Sequence, residues 1–154
     1  MKPRQKMRIS DGNLSEILDK VRETWTKGLS SKAESILVET LEKYHLTKDK
    51  QALLERYLSY TLETQGRYKE SFEIIDKYDN EELLNQLDLE TQVLVINQLA
   101  IGLNNTNEHQ QAFELLTYSQ NLAEETELSH LFGEIYIGLS KINRKLSEFP
   151  LALE

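Results

Sequence analysis

A recurring spacing of small residues constrains this chain more than any other feature. Four segments lie over one another: KGLSSKAESIL from Lys27, QGRYKESFEII from Gln65, TNEHQQAFELL from Thr106 and LSEFPLALE from Leu146. Each has a small residue in the same place, at Ala33, Ser71, Ala112 and Ala152, with intervals of 38, 41 and 40 residues. Five residues earlier stands a turn former or small polar residue: Gly28, Gly66, Asn107 or Ser147. Twelve residues earlier comes the middle of the preceding helical segment, at Val21, Ser59, Ala100 or Ser140. Two antiparallel helices joined by a tight turn need these features: a residue tolerating positive φ at the turn, and small residues where the backbones come closest. One such hairpin leaves an apolar face bare, and the next hairpin buries it.

Apolar spacing agrees. Leu14, Ile17, Leu18, Val21 and Trp25 fall on one helical face, and Ala33, Ile36, Leu37, Leu41 and Tyr44 repeat the pattern. No segment sustains a period of two. Val93–Ile96 has the composition of a buried strand, but it sits in a longer helical pattern and is read as a helix buried on most sides. Helices are predicted over 14–27, 30–45, 49–64, 68–78, 89–104, 109–125 and 128–146, with an eighth from Glu148. Residues 79–88 form a longer connection with room for one helical turn. Expected N-caps are Asn13 or Ser15, Ser30 or Ser31, Thr47, and Asp88.

The first twelve residues hold four basic side chains against one acid, a surplus of three positive charges. The rest of the chain then carries −11, within a total of −8. So acidic a body repels phosphate backbones and argues against nucleic acid as partner. The N-terminal basic residues are not followed by an apolar run, so no secretory signal is expected. No apolar stretch approaches the roughly 18–20 residues of a membrane span. The absence of Cys excludes disulfides, thiol nucleophiles and thiolate metal sites. A cytoplasmic setting is expected.

The pieces GRYKESFEII and GLSKINRKLSEFPLALE resemble the tetratricopeptide repeat signature, with Leu139, Ser140, Leu146, Phe149 and Ala152 at signature positions. The resemblance covers about residues 14–154. The period exceeds the family's roughly 34 residues and is similar to the longer repeats of bacterial regulators and of sensory regions ahead of output domains. It implies an all-α fold, a right-handed α-α superhelix or solenoid of helix-turn-helix repeats. The domain plan is then a basic flexible arm over 1–12 and a repeat domain over 13–154, with repeats at about 14–46, 49–80, 89–126 and 128–154. The last repeat is cut short, one turn into its second helix. The closing Leu153-Glu154 resembles a cloning remnant, so an excised N-terminal piece of a longer protein is expected, with an apolar, adhesive C-terminal face.

In the family the first helix of each repeat lines a concave wall that contacts ligand. By register those positions are Arg22 and Trp25, then Arg56, Tyr60 and Glu63, then Asn97, Ile101 and Asn104, then Lys141, Arg144 and Lys145. This wall would be net basic. Asn donates to and accepts from a peptide backbone at once, Arg binds carboxylate bidentately, and Trp25 and Tyr60 offer anchoring contacts. The family's carboxylate clamp for chaperone tails is not matched residue for residue.

Chemistry-bearing motifs are sparse. His45, His109 and His130 lie in different hairpins without metal-ligand spacing. No Gly-rich phosphate loop or nucleophile elbow is present. Glu81-Glu82 and Glu124-Glu125 are adjacent on their helices and point apart. The expectation is a non-catalytic scaffold for a protein or peptide ligand, with no cofactor and no metal. The alternative is a self-association module forming a homodimer through the C-terminal end.

Overall fold

The computed structural model describes residues 7–147, with side chains through Ile142. Among them are eight α-helices: α1 Asp11–Thr26, α2 Ser30–Lys43, α3 Lys48–Thr64, α4 Tyr68–Ile75, α5 Glu81–Leu84, α6 Leu89–Asn105, α7 His109–Glu125 and α8 Phe132–Ser147. Short 3-10 turns continue α4 over Asp76–Tyr78 and precede α8 over Ser129–Leu131. The fold is all-helical apart from one small ladder, in which β1 Met7–Arg8 pairs in parallel with β2 Tyr44–His45. The expected second helix of the fourth repeat, with Ala152, lies outside the described residues.

The three turns predicted within hairpins form as expected. Gly28, Gly66 and Asn107 have φ of 71°, 76° and 70°. After each, an N–H reaches the carbonyl five residues back: Leu29 to Thr24, Arg67 to Leu62, Glu108 to Leu103. These are the six-to-one bonds of Schellman motifs, which satisfy carbonyls left open at a helix end. A fourth copy lies between α7 and α8, where Glu127 has φ 60° and Leu128 N–H reaches Ala123 O. Glutamate gives no warning of a left-handed residue, because its Cβ disfavours that conformation.

The small-residue register is also realised. Val21 and Ala33, Ser59 and Ser71, and Ala100 and Ala112 are all buried. In the α3–α4 pair the contact is polar and reciprocal. Ser59 Oγ donates to Ser71 O at 2.9 Å, Ser71 Oγ donates to Ser59 O at 2.7 Å, and the two hydroxyls lie 2.9 Å apart. Between α4 and α6 the approach is close enough that a Cβ on Gly102 would lie 2.7 Å from Phe72 Cδ2.

Several local expectations need correction. Helix α1 begins at Asp11, and its cap is Ser10, whose Oγ accepts from Asn13 N–H at 3.1 Å. Neither Asn13 nor Ser15 caps it. Helix α2 has Leu29 at its cap position and no side-chain cap bond, because the Schellman turn feeds straight into the helix. Thr47 and Asp88 do cap α3 and α6. The basic arm expected over 1–12 is anchored from Met7 onward: Ile9 is buried, and Lys50 Nζ donates to Ile9 O at 3.1 Å.

The core is built as a succession of clusters. One gathers Leu14, Leu18 and Val21 of α1 with Leu37 of α2 and Leu54, Leu58 and Leu62 of α3. The next joins Ile75 and Tyr78 to Val95, Leu99 and Leu103 of α6, Leu116 of α7 and Ile142 of α8. Each fully buried Leu or Ile contributes about 1.5–3 kcal/mol. Helix α6 packs against α3, α4, α7 and α8, which accounts for its burial on most sides.

Candidate functional site

Four helices contribute to one cavity of about 280 Å³: Trp25 from α1, Arg56 and Tyr60 from α3, Asn97, Gln98 and Ile101 from α6, and Glu134, Ile137 and Lys141 from α8. Spacings of three or four residues put each helix's contributions on one face. Arg56 and Tyr60 are four apart, as are Asn97 and Ile101. Glu134, Ile137 and Lys141 step by three and four.

One side of the cavity is aromatic. Trp25 lies 4.7 Å from the Tyr60 ring, edge to face, and 5.1 Å from the Tyr57 ring. Its indole N–H donates to Thr61 Oγ1 at 2.9 Å. Arg56 places its guanidinium 5.4 Å from the Tyr57 ring centre and 5.9 Å from that of Tyr60, a cation–π arrangement. Its Nη2 donates to Glu134 Oε2 at 2.6 Å.

The floor holds an unusual set of polar groups. Asn97 and Gln98 are 3% and 1% exposed. Ser119 Oγ donates to Asn97 Oδ1 at 2.8 Å, which leaves Asn97 Nδ2 without a partner. Gln98 Nε2 and Arg56 Nε are also buried and unpaired. Among the described residues these are the only buried side-chain nitrogens or oxygens lacking a partner, and their three side chains line the same cavity. A buried N–H without a partner costs about 1–3 kcal/mol, so these three side chains are the polar groups of the cavity lining with hydrogen-bonding capacity to spare.

Of the residues named from sequence, the structure brings Trp25, Arg56, Tyr60, Asn97, Ile101 and Lys141 into this cavity. Glu63 adjoins it through Lys141, whose Nζ is 3.6 Å away. Arg22 stands beside it, with Nη1 donating to Tyr57 OH at 2.5 Å and Nη2 bonded to Asp19. Partial burial opposes the Arg22 charge, but Asp19 and Tyr57 more than offset this, so its pKa lies above the ordinary arginine value. Asn104 does not join the cavity lining: it is buried and its Oδ1 lies 2.6 Å from His109 Nδ1. The Arg144 and Lys145 side chains lie outside the described residues. The expected net-basic wall is in fact compensated, because Arg22, Arg56 and Lys141 each face a carboxylate.

Sequence reasoning missed Gln98, Tyr57, Glu134 and Ile137. Gln98 carried a usable signal, as the second of two adjacent amides inside the apolar run VLVINQLAIG. Among the described residues no group of three or more His, Cys, Asp or Glu side chains could hold a metal ion. No described helix is long and apolar enough to cross a membrane. Comparisons with protein-family models, with curated proteins and with solved structures find no match to this chain.

Proposed function

We propose that the helix pairs form one right-handed tetratricopeptide-like superhelix, and that the cavity is the centre of a non-catalytic groove for a protein or peptide ligand. The observation that carries this reading is that Arg56, Asn97 and Gln98, each with a buried N–H lacking a partner, line one cavity together with Trp25 and Tyr60, whose rings stack edge to face. A polypeptide segment supplies carbonyl acceptors for the donors and side chains for the aromatic wall. At about 280 Å³ the cavity falls just below the roughly 300–1,000 Å³ of small-molecule pockets, which suits one or two side chains of a longer segment. The recurring turns and the repeat period favour the superhelix. The long period favours the sensory or docking region of a larger bacterial regulatory protein, working in the cytoplasm.

Selection from a random peptide library tests the reading, with affinities read from the fluorescence of Trp25, the single tryptophan. Selected peptides should lose affinity for Gln98→Met and Arg56→Met proteins whose circular dichroism is unchanged. Equal binding to wild type and both variants refutes the groove. A second reading, self-association, is favoured by Tyr136 and Ile137, which are 54% and 60% exposed on α8. It requires a dimer by light scattering that Ile137→Asp dissolves.

A further inference from the structure

Two ion pairs of opposite polarity cross the cavity between α3 and α8. Arg56 of α3 reaches Glu134 of α8 at 2.6 Å, and Lys141 of α8 faces Glu63 of α3 at 3.6 Å. The first pair is unequal in its exposure to water: the Arg56 side chain is 12% exposed and that of Glu134 is 44% exposed. Glu134 can therefore turn out into solvent and be hydrated, whereas Arg56 stays largely inside and keeps its need for an anion. Removing one partner of a largely buried pair is costly, and an incoming carboxylate on Arg56 restores the pairing that Glu134 gives up. The Asn97 and Gln98 side chains line the same cavity, and each carries a buried N–H without a partner. An incoming carboxylate that bonded them as well would hold an advantage over Glu134.

We propose that Glu134 is a built-in, displaceable competitor, and that an Asp or Glu side chain of the partner enters the groove by taking its place on Arg56. The inference rests on the groove reading and adds the ligand's charge class and a control on its entry. Displacement removes one of the two ion pairs between α3 and α8 among the described residues, so occupancy of the groove weakens the tie of α8 to α3. Glu134 thereby also screens the groove against neutral segments, which cannot compensate Arg56.

The test uses two blocked amino acids, N-acetylglutamate amide and N-acetylglutamine amide, titrated at neutral pH against Trp25 fluorescence. The proteins are wild type, Glu134→Gln and Arg56→Met, each checked by circular dichroism. The glutamate probe should bind Glu134→Gln about tenfold more tightly than wild type, because the competing charge-assisted bond is gone. It should fail to bind Arg56→Met, and the glutamine probe should not respond to Glu134→Gln. In wild type, the glutamate probe should speed amide hydrogen exchange in α8. Equal affinity of the glutamate probe for wild type and Glu134→Gln overturns the displacement. If both probes then still shift Trp25 fluorescence, the groove stands and only the competitor role falls. If neither probe shifts it in any protein, the groove reading falls too. Glu134→Ala serves as the second variant, with the same expected gain as Glu134→Gln.

Discussion

The Ser59–Ser71 contact offers a direct measurement of how closely the paired helices approach. Both residues are buried, and they share one hydroxyl–hydroxyl contact and two hydroxyl–carbonyl bonds. The carbonyls belong to helical ladders, so losing a hydroxyl donor does not strand them. Ser59→Ala removes one hydroxyl–carbonyl bond and the shared contact, while Ser71 Oγ keeps its bond to Ser59 O. A net hydrogen bond contributes about 0.5–1.5 kcal/mol, so each single alanine variant should cost about 1 kcal/mol. The double variant reproduces the pairing found one repeat later, where Ala100 and Ala112 occupy the same register. Its cost should fall short of the sum of the two single costs by about 0.5 kcal/mol or more, the coupling expected of residues in contact. Ser71→Leu tests the same register from the opposite side, since the added side chain has no space and should cost about 1–3 kcal/mol or more. Urea unfolding followed by circular dichroism gives all four values, with an unchanged m-value showing that only the native packing was altered. Strict additivity of the alanine variants, together with Ser71→Leu costing under about 0.5 kcal/mol, would refute close packing at this register.

Other predictions follow from single sites. Glu127→Gly should stabilise the protein by up to about 1 kcal/mol by relieving a left-handed residue with a Cβ, whereas Gly66→Ala should destabilise it by about 1–2 kcal/mol, both measured by thermal unfolding. Gln98→Met should stabilise the ligand-free protein by about 1 kcal/mol, because it removes an unpaired buried donor while weakening peptide binding, and urea unfolding reads the gain. Burial, and then the bond to Glu55 at 2.7 Å, push the Tyr78 phenol well above the ordinary tyrosine value of 10.0. Above about pH 10 the unfolded chain ionises this tyrosine while the native state keeps its proton, so stability falls as pH rises. Tyr78→Phe should make that alkaline slope shallower in unfolding experiments across pH 9–11, despite lowering stability at neutral pH by about 1.5–3 kcal/mol.

The elements legible in the sequence are those set by local physics. Gly28, Gly66 and Asn107 could be read because few residues adopt positive φ readily, and Ala33, Ser71 and Ala112 because close helix contacts exclude larger side chains. What escaped depends on partners distant in sequence or on residues without a conformational signature. The Met7–Arg8 ladder needs Tyr44–His45, and no pattern within residues 1–12 announces it. Glu127 adopts a glycine-like conformation with a side chain that gives no sign of it. The compensation of the basic wall was hidden for the same reason, since Arg56 finds Glu134 across 78 residues of chain. Charges are visible in a sequence, but the pairs they form are set by tertiary packing.

The site was legible in part, and α6 shows why. Register from the repeat picks out Trp25, Arg56, Tyr60, Asn97, Ile101 and Lys141, which line one cavity, since residues three or four apart share a helix face whatever the tertiary fold. Asn104, also picked out by register, is not in that lining, and its side chain bonds to His109 at the helix end. Gln98 was passed over, although the reading of α6 as a helix buried on most sides already implied its importance. Adjacent residues on a helix point about 100° apart, so two neighbouring amides in such a helix cannot share one narrow solvent-facing stripe. At least one must be buried, and a buried amide requires a partner or a ligand. In this protein both are buried. Ser119 satisfies one end of Asn97, and the Asn97 and Gln98 side chains, each with a buried N–H lacking a partner, line the cavity with Arg56. A stability-optimised core would fill those two positions with apolar side chains. Under the proposed groove reading, a bound segment would complete the hydrogen bonds of these amides.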